Sequence, residues 1–220
     1  MNSELSSTTT SALDGHLHVL NHPLASHIIT QLRDTETQPH LFRLLASKIT
    51  TLLVIEATRH LITEPKLINT PLEKHSGYAL KQKPLVIVPI LRAGLSMAQP
   101  FIDLYPEASI GYIGLERDDK TAQARSYYSK LPPLDASEVF AIDPMLATGG
   151  SASHALSLLK DKGAKKPYFV CIIAAPEGCN VLRKNHPDVT IFTAVLDRGL
   201  NSQNYILPGL GDFGDRLCGT

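Results

Sequence analysis

With 220 residues, 43% hydrophobic and 19% charged, the chain has the length and balance of an ordinary soluble globular fold with one sizeable core. Lys and Arg number 21 and Asp and Glu number 21, so no excess charge argues for a nucleic-acid or membrane-surface partner. No apolar run approaches transmembrane length, and Cys171, Cys179 and Cys218 form no metal or redox spacing, so a reducing cytoplasm is the expected setting.

In chain order, residues 1–15 read as a disordered Ser/Thr-rich tail with no secretory signal pattern. His16, His18 and His22 are close enough to suggest a metal, but no cysteine or carboxylate follows at ligand spacing, which favours structural roles. Over 39–62, Leu41, Leu45, Ile49, Leu52 and Leu53 recur at helical spacing and predict a long, mostly buried helix. Residues 63–83 are polar with scattered apolar positions and suit an exposed β-arm. The unbroken run "PLVIVPI" (84–90) predicts a buried strand, and "GLSMAQPFIDLY" (94–105) a helix kinked at Pro100. Strands follow at 108–115, 138–143, 166–175 and 189–197, with helices at 149–163 and 177–186. Doubly apolar strands alternating with helices imply an α/β fold whose parallel sheet is flanked by helices. Residues 114–132, long and charged, read as an irregular lid that could bring Arg117 and Lys120 over an anionic ligand.

Ligands of such sheets sit beyond the carboxyl ends of the strands, which directs attention to the loops there. "IDPMLATGGS" (142–151) ends a strand and opens a helix through two glycines. Bare N–H groups at that helix start, with the Thr148 and Ser151 hydroxyls, make a phosphate site. The lysine of a P-loop is missing, so a phosphate monoester suits it better than a triphosphate. Asp143 at the strand end could accept hydrogen bonds from sugar hydroxyls. A plain capped βα turn explains this stretch alone about equally well. Arg92, in "PILRAGLSM", ends a neighbouring strand and suits a bidentate phosphate contact. "GLGDFG" (209–214) matches GxGxxG, yet the chain ends at Thr220 and no βαβ unit follows, so the match is a decoy. The segment reads instead as a loop offering backbone groups to a flat polar ligand.

Taken together, "NHPL" (21–24), "LRD" (32–34), "EATR" (56–59), "VPILRAGLSM" (88–97), "DPMLATGGSA" (143–152), "AAPEG" (174–178) and "YILPGLGDFGDR" (205–216) resemble the uracil phosphoribosyltransferases. The resemblance runs from about residue 18 to the end. It implies a type I phosphoribosyltransferase fold in one domain over 16–220, with the 63–83 arm and a C-terminal hood over 197–220 that binds the base. It further implies transfer of the 5-phosphoribosyl group from 5-phosphoribosyl diphosphate (PRPP) to uracil, in pyrimidine salvage. By resemblance, PRPP lies against Arg92, Arg117, Asp143, Pro144, Met145, Leu146, Ala147, Thr148, Gly149, Gly150, Ser151 and Asp212. Of these, Arg92, Arg117, Asp143 and Asp212 act in catalysis. Uracil is read at Ile206, Gly211, Asp212 and Phe213. Mg²⁺ is implied, held mainly by PRPP rather than by direct side-chain ligation. A homodimer or homotetramer is expected, with no nucleic-acid or membrane partner. The resemblance leaves room for GTP binding, to which it assigns no residues. Pro144 in place of a second acid marks the uracil branch. Ile55, Pro39, His40 and Phe213 depart from the family's usual residues. A PRPP-binding regulator of pyrimidine genes on the same fold is the second reading, and it would want a basic face that this chain lacks.

Overall fold

The computed structural model describes residues 15–81, 83–117 and 124–220, without the side chains of Arg117, Ala124 and Arg125. The N-terminal tail, but for Gly15, and Lys120 therefore lie outside the described residues. The chain opens with a short strand β1 (Leu17–Val19) and then α1 (Pro23–Arg33). Pro23 occupies the first turn, and the Leu24 N–H donates to His22 Nδ1 at 3.1 Å. Ala25, Ile28, Ile29 and Leu32 of α1 are buried, at helical spacing. The long helix α2 (Pro39–Ala57) again starts on a proline and ends five residues short of the expected boundary. Next, β2 (Thr63–Asn69) and β3 (Lys74–Leu80) pair with each other alone, as an antiparallel hairpin with Leu67, Leu72 and Tyr78 exposed.

The sheet begins with β4 (Leu85–Leu91). Pro100 does not kink the segment after it. A 3₁₀ turn spans Ala93–Met97, and α3 (Ala98–Leu104) starts just before Pro100, which falls in the first turn, where a proline costs no hydrogen bond. The expected strand 108–115 divides into β5 (Ser109–Ile110), beside β4, and β6 (Tyr112–Arg117). The expected irregular lid is largely strand: β6 pairs antiparallel with β7 (Ala124–Lys130). Gly114 permits this, since a Cβ there would lie 2.5 Å from the Tyr127 ring. Among the described residues β7 pairs with β6 alone, so most of its positions stay exposed and polar, and apart from the buried Ile113 the hairpin shows none of the apolar run that marks β4.

The remaining units follow the expected alternation: β8 (Glu138–Ile142), β9 (Met145–Leu146), α4 (Gly150–Asp161), β10 (Tyr168–Ala174), α5 (Pro176–Asn185) and β11 (Thr190–Leu196). The sheet order is β1-β11-β10-β8-β4-β6-β7, parallel throughout except for β6 and β7. Alternate residues of each strand go to opposite cores. Leu85 and Ile87 pack under α1, α2 and α3, whereas Val86 and Val88 pack under α4 and α5. Each such side chain contributes about 1.5–3 kcal/mol on burial. Tail residues then form a two-residue ladder, β12 (Gly199–Leu200) with β13 (Ile206–Leu207), and a final helix α6 (Phe213–Cys218). GxGxxG thus does open a helix, though a short one of six residues, Phe213–Cys218.

Candidate active site

A cleft of about 580 Å³ lies beyond the carboxyl ends of β4 and β8, between the start of α4 and the C-terminal tail. Its floor is dictated by backbone geometry. Gly149 caps α4 in the left-handed region, φ +82°, with no side-chain hydrogen bond to the first-turn N–H groups. Those N–H groups and the positive end of a 12-residue helix face the cleft at Gly150 and Ser151. The floor rests on α5: a Cβ on Gly178 would lie 2.6 Å from the Ala147 carbonyl, and one on Gly149 would lie 2.9 Å from the Gly178 carbonyl. Glycine at both places lets the phosphate loop and α5 pack backbone to backbone.

Asp143 follows β8 and opens to the cleft while otherwise enclosed. Loss of hydration pushes its carboxyl up to about 7, and the Met145 N–H offsets part of that rise. Arg92 follows β4 across a cis peptide bond, Leu91–Arg92. It is exposed on the cleft and makes no ion pair among the described residues. A Cβ on Gly94 would lie 2.4 Å from the Ile142 carbonyl, so this glycine allows the turn carrying Arg92 to close on the strand carrying Asp143.

The opposite wall comes from the tail. Ile206 is buried, Gly211 and Asp212 are exposed, and all three line the cleft. Asp212 caps α6 by accepting the Asp215 N–H at 3.0 Å. Phe213 lines the cleft but its ring is only 2% exposed; it packs edge-on against Phe42 of α2 at 5.1 Å. Its departure from the family's usual residue is thus accommodated in the core. The start of this wall is tied to α5, where Glu177 Oε1 accepts the Leu200 N–H at 3.0 Å.

Arg92, Asp143, Met145, Leu146, Ala147, Thr148, Gly149, Gly150, Ser151, Ile206, Gly211, Asp212 and Phe213 therefore share one cleft. Pro144, expected against PRPP, does not join them. It is buried beneath the loop, and its carbonyl accepts the Ile172 and Ile173 N–H groups at 3.0 and 3.1 Å. Arg117 ends β6, and its side chain is outside the described residues. Asn204, Tyr205, Asp215 and Thr220 also line the cleft and were missed by the sequence reading. The Asn201 side chain, which accepts the Gln203 and Tyr205 N–H groups at 2.9 Å, is a local turn signal beside Asn204 and Tyr205.

Two of the three histidines that suggested a metal have other work: His18 stacks on Phe192 at 5.0 Å, and His22 caps α1. Burial pushes the Cys171 thiol up and the Cys179 thiol up to about 11, which keeps both protonated. Among the described residues no three His, Cys, Asp or Glu side chains cluster as a metal site, and no helix is long and apolar enough to cross a membrane.

Known proteins match this architecture closely. The sequence model of the uracil phosphoribosyltransferase family matches residues 19–220. The chain is 53% identical over 203 residues to a uracil phosphoribosyltransferase of Dictyoglomus turgidum, covering 92% of this chain and 98% of the relative. It is 47% identical over 207 residues to one from Bacillus thuringiensis, covering 94% and 99%. Among solved structures, the AQ2163 protein of Aquifex aeolicus superposes with a TM-score of 0.86 at 37% identity, over 91% of this chain and 97% of that one. A hypoxanthine-guanine phosphoribosyltransferase from Bacillus anthracis gives a TM-score of 0.50 at 10% identity, over 72% and 80%, a likeness of fold alone. A mostly parallel sheet, a glycine-opened helix beyond its strand ends and these relatives together mean that the chain belongs to the uracil phosphoribosyltransferase family.

Proposed function

We propose that this cleft transfers the 5-phosphoribosyl group of PRPP to uracil, giving UMP and diphosphate in pyrimidine salvage. The observation that carries the reading is the meeting, in one cleft, of a bare helix start, an enclosed acid, an exposed arginine and a glycine-rich wall. The 5′-phosphate rests on the N–H groups and hydroxyls of Ala147–Ser151. Asp143 accepts hydrogen bonds from the ribose hydroxyls. Arg92 and Arg117 hold the diphosphate, and Asp212 faces it from the opposite wall. Uracil is read at Ile206, Gly211, Asp212 and Phe213, largely through backbone groups. Pro144 contributes by fixing the floor from below rather than by contact.

In the reaction the C1′–oxygen bond breaks with its electron pair leaving on diphosphate, uracil N1 bonds to C1′, and the N1 proton passes to the departing diphosphate or to solvent. Charge at C1′ develops as in glycoside hydrolysis, through an oxocarbenium-like state. Arg92 stabilises the charge that appears on the diphosphate oxygens, while the α4 start holds the 5′-phosphate and so keeps C1′ in place for attack. Buried donors and acceptors at the base discriminate against cytosine, since an unpaired group costs about 1–3 kcal/mol. Phosphoribosyltransferases generally use Mg²⁺ with PRPP. Asp143 and Asp212 are hard oxygen donors on the same cleft and would face the ion, with PRPP supplying most of its ligands. When bound, it offsets charge on the diphosphate oxygens.

The exposed apolar side chains of the β2–β3 hairpin support a homodimer or homotetramer, which analytical ultracentrifugation would test. The free thiols suit a cytoplasmic setting. The regulator reading lacks a comparable observation: the balanced charge gives no argument for a nucleic-acid partner, and the relatives above carry the enzyme's name. The deciding experiment is a coupled assay of UMP formation from uracil and PRPP with Mg²⁺. Steady turnover is expected, and no product from a folded protein would overturn the reading.

A further inference from the structure

One buried ion pair stands behind the wall that reads the base. Asp197 follows β11 and its side chain is 3% exposed. Arg33, the last residue of α1, reaches it with both terminal nitrogens: Nη2 donates to Oδ1 at 2.5 Å, and Nη1 to Oδ2 at 2.8 Å. The pair then grips a single tail residue at both backbone groups. The Gly209 N–H donates to Asp197 Oδ2 at 2.8 Å, and the Gly209 carbonyl accepts Arg33 Nη1 at 2.8 Å. Gly209 itself cannot be replaced without moving the chain. Its φ is +66°, and a Cβ would fall 2.0 Å from the Ile206 carbonyl.

Gly209 lies midway between Ile206 and Gly211, on the short span that joins the two parts of the wall. A forked guanidinium can hold a carboxylate and a carbonyl at fixed angles, which an ammonium cannot do. Water cannot substitute for the grip at a carboxylate this enclosed.

We infer that Arg33 and Asp197 are positioning residues for base recognition, clamping Gly209 so that Ile206 and Gly211–Phe213 meet uracil in register. Neither side chain lines the cleft. The inference rests on the reading that this wall takes the base. Of the PRPP contacts proposed above, Asp212 alone lies on this wall; those of the floor hang on β8 and α4, outside the clamp's reach, so PRPP binding depends little on the clamp.

The test uses the full-length protein with two variants that keep both charges, Arg33→Lys and Asp197→Glu. Each should raise the KM for uracil about tenfold, the loss of one or two well-placed hydrogen bonds. Selectivity for uracil over cytosine should narrow. The PRPP dissociation constant, measured calorimetrically without uracil, should stay within about threefold. Gly211→Ala serves as the control on the wall itself. A raised uracil KM in Gly211→Ala with normal values in the two clamp variants overturns the clamp and leaves the base reading intact. Normal uracil KM in all three overturns both. Parallel losses in uracil and PRPP binding, or failure of both clamp variants to fold, would mean a merely structural pair and would overturn the inference too.

Discussion

Residues 143–151 hang on β8, β10 and α4, their neighbours in sequence or in the parallel sheet. Residues 197–218, on the other side of the same cleft, hang chiefly on α1 and α2. Arg33 meets Asp197 from 164 positions away, and Arg43 donates to the Leu217 carbonyl from 174 positions away at 2.7 Å. Arg216 returns the contact, donating to the carbonyls of Leu32, Leu210 and Asp34 with its guanidinium over the Phe42 ring at 4.6 Å. One wall is thus a consequence of the sheet, and the other a separate layer fastened by arginines. Damage to each should therefore read out on a different substrate.

The largest expected effect is at the floor. Gly178→Ala places a methyl 2.6 Å from the Ala147 carbonyl and 2.9 Å from Leu146 Cγ. Backbone cannot yield as a flexible side chain can, so the phosphate loop must shift. We expect kcat/KM for PRPP to fall about 100-fold and stability to drop by ~2–3 kcal/mol. Unchanged PRPP kinetics and melting temperature would show that the loop and α5 are not packed as described.

Asp143→Asn comes next and separates function from stability. Its carboxyl titrates near 7 in the fold, above its ordinary 3.8. Unfolding lets it ionise, so the stability present below about pH 4 is lost as pH rises towards 7. The amide removes that loss and should stabilise the free protein at pH 8 on the order of 1–2 kcal/mol, with little gain at pH 4. The same change should raise the KM for PRPP about tenfold, by weakening the ribose contact. Melting curves at the two pH values and PRPP kinetics check both halves. A destabilised variant at pH 8 would contradict the enclosed carboxylate.

The two walls also differed in how far the sequence exposed them. β4 is apolar at every position from Leu85 to Leu91 because both its faces are covered, and such a run is visible without partners. "DPMLATGGS" shows its floor because strand, turn and helix start are contiguous. The hood offers less: Asp197 and Arg33 look like two surface charges until the fold brings them together, since no local pattern records a pairing across 164 positions. Phe213 was legible as a departure beside the base, but no local pattern tells that its side chain turns inward to Phe42. The β6–β7 hairpin escaped because an edge ribbon buries too little to alternate clearly. α1 was missed for another reason. Pro23 and the 25, 28, 29, 32 spacing were legible, but a histidine cap is not one of the usual helix-start signals.

A smaller effect is expected at Arg216, on the hood. Arg216→Gln keeps a polar side chain but loses the fork and the ring contact, at ~1–2 kcal/mol of stability. KM for uracil should rise about threefold, with PRPP binding nearly unchanged. A larger change for PRPP than for uracil would break the division between the walls.

The smallest effect lies behind the floor, where α5 is tied to α4. His186 is buried, with Nε2 3.0 Å from both Ser153 Oγ and the Ser153 carbonyl, and Asn185 donates to the same hydroxyl at 3.1 Å. Burial, helped by the Lys160 charge, holds its imidazole below the ordinary 6.5. A histidine with a depressed folded value supports the fold fully above pH 6.5, and that support is lost as pH falls through the lower folded value. Compared with a His186→Gln variant, the wild-type melting temperature should therefore decline by an additional degree or two between pH 7.5 and pH 5. KM for uracil at pH 7.5 should be the same in both proteins, since the tie supports the floor and not the hood. A constant melting offset across that range would mean that another group titrates there. A changed uracil KM would mean that the two walls are coupled through α5, where Glu177 holds Leu200.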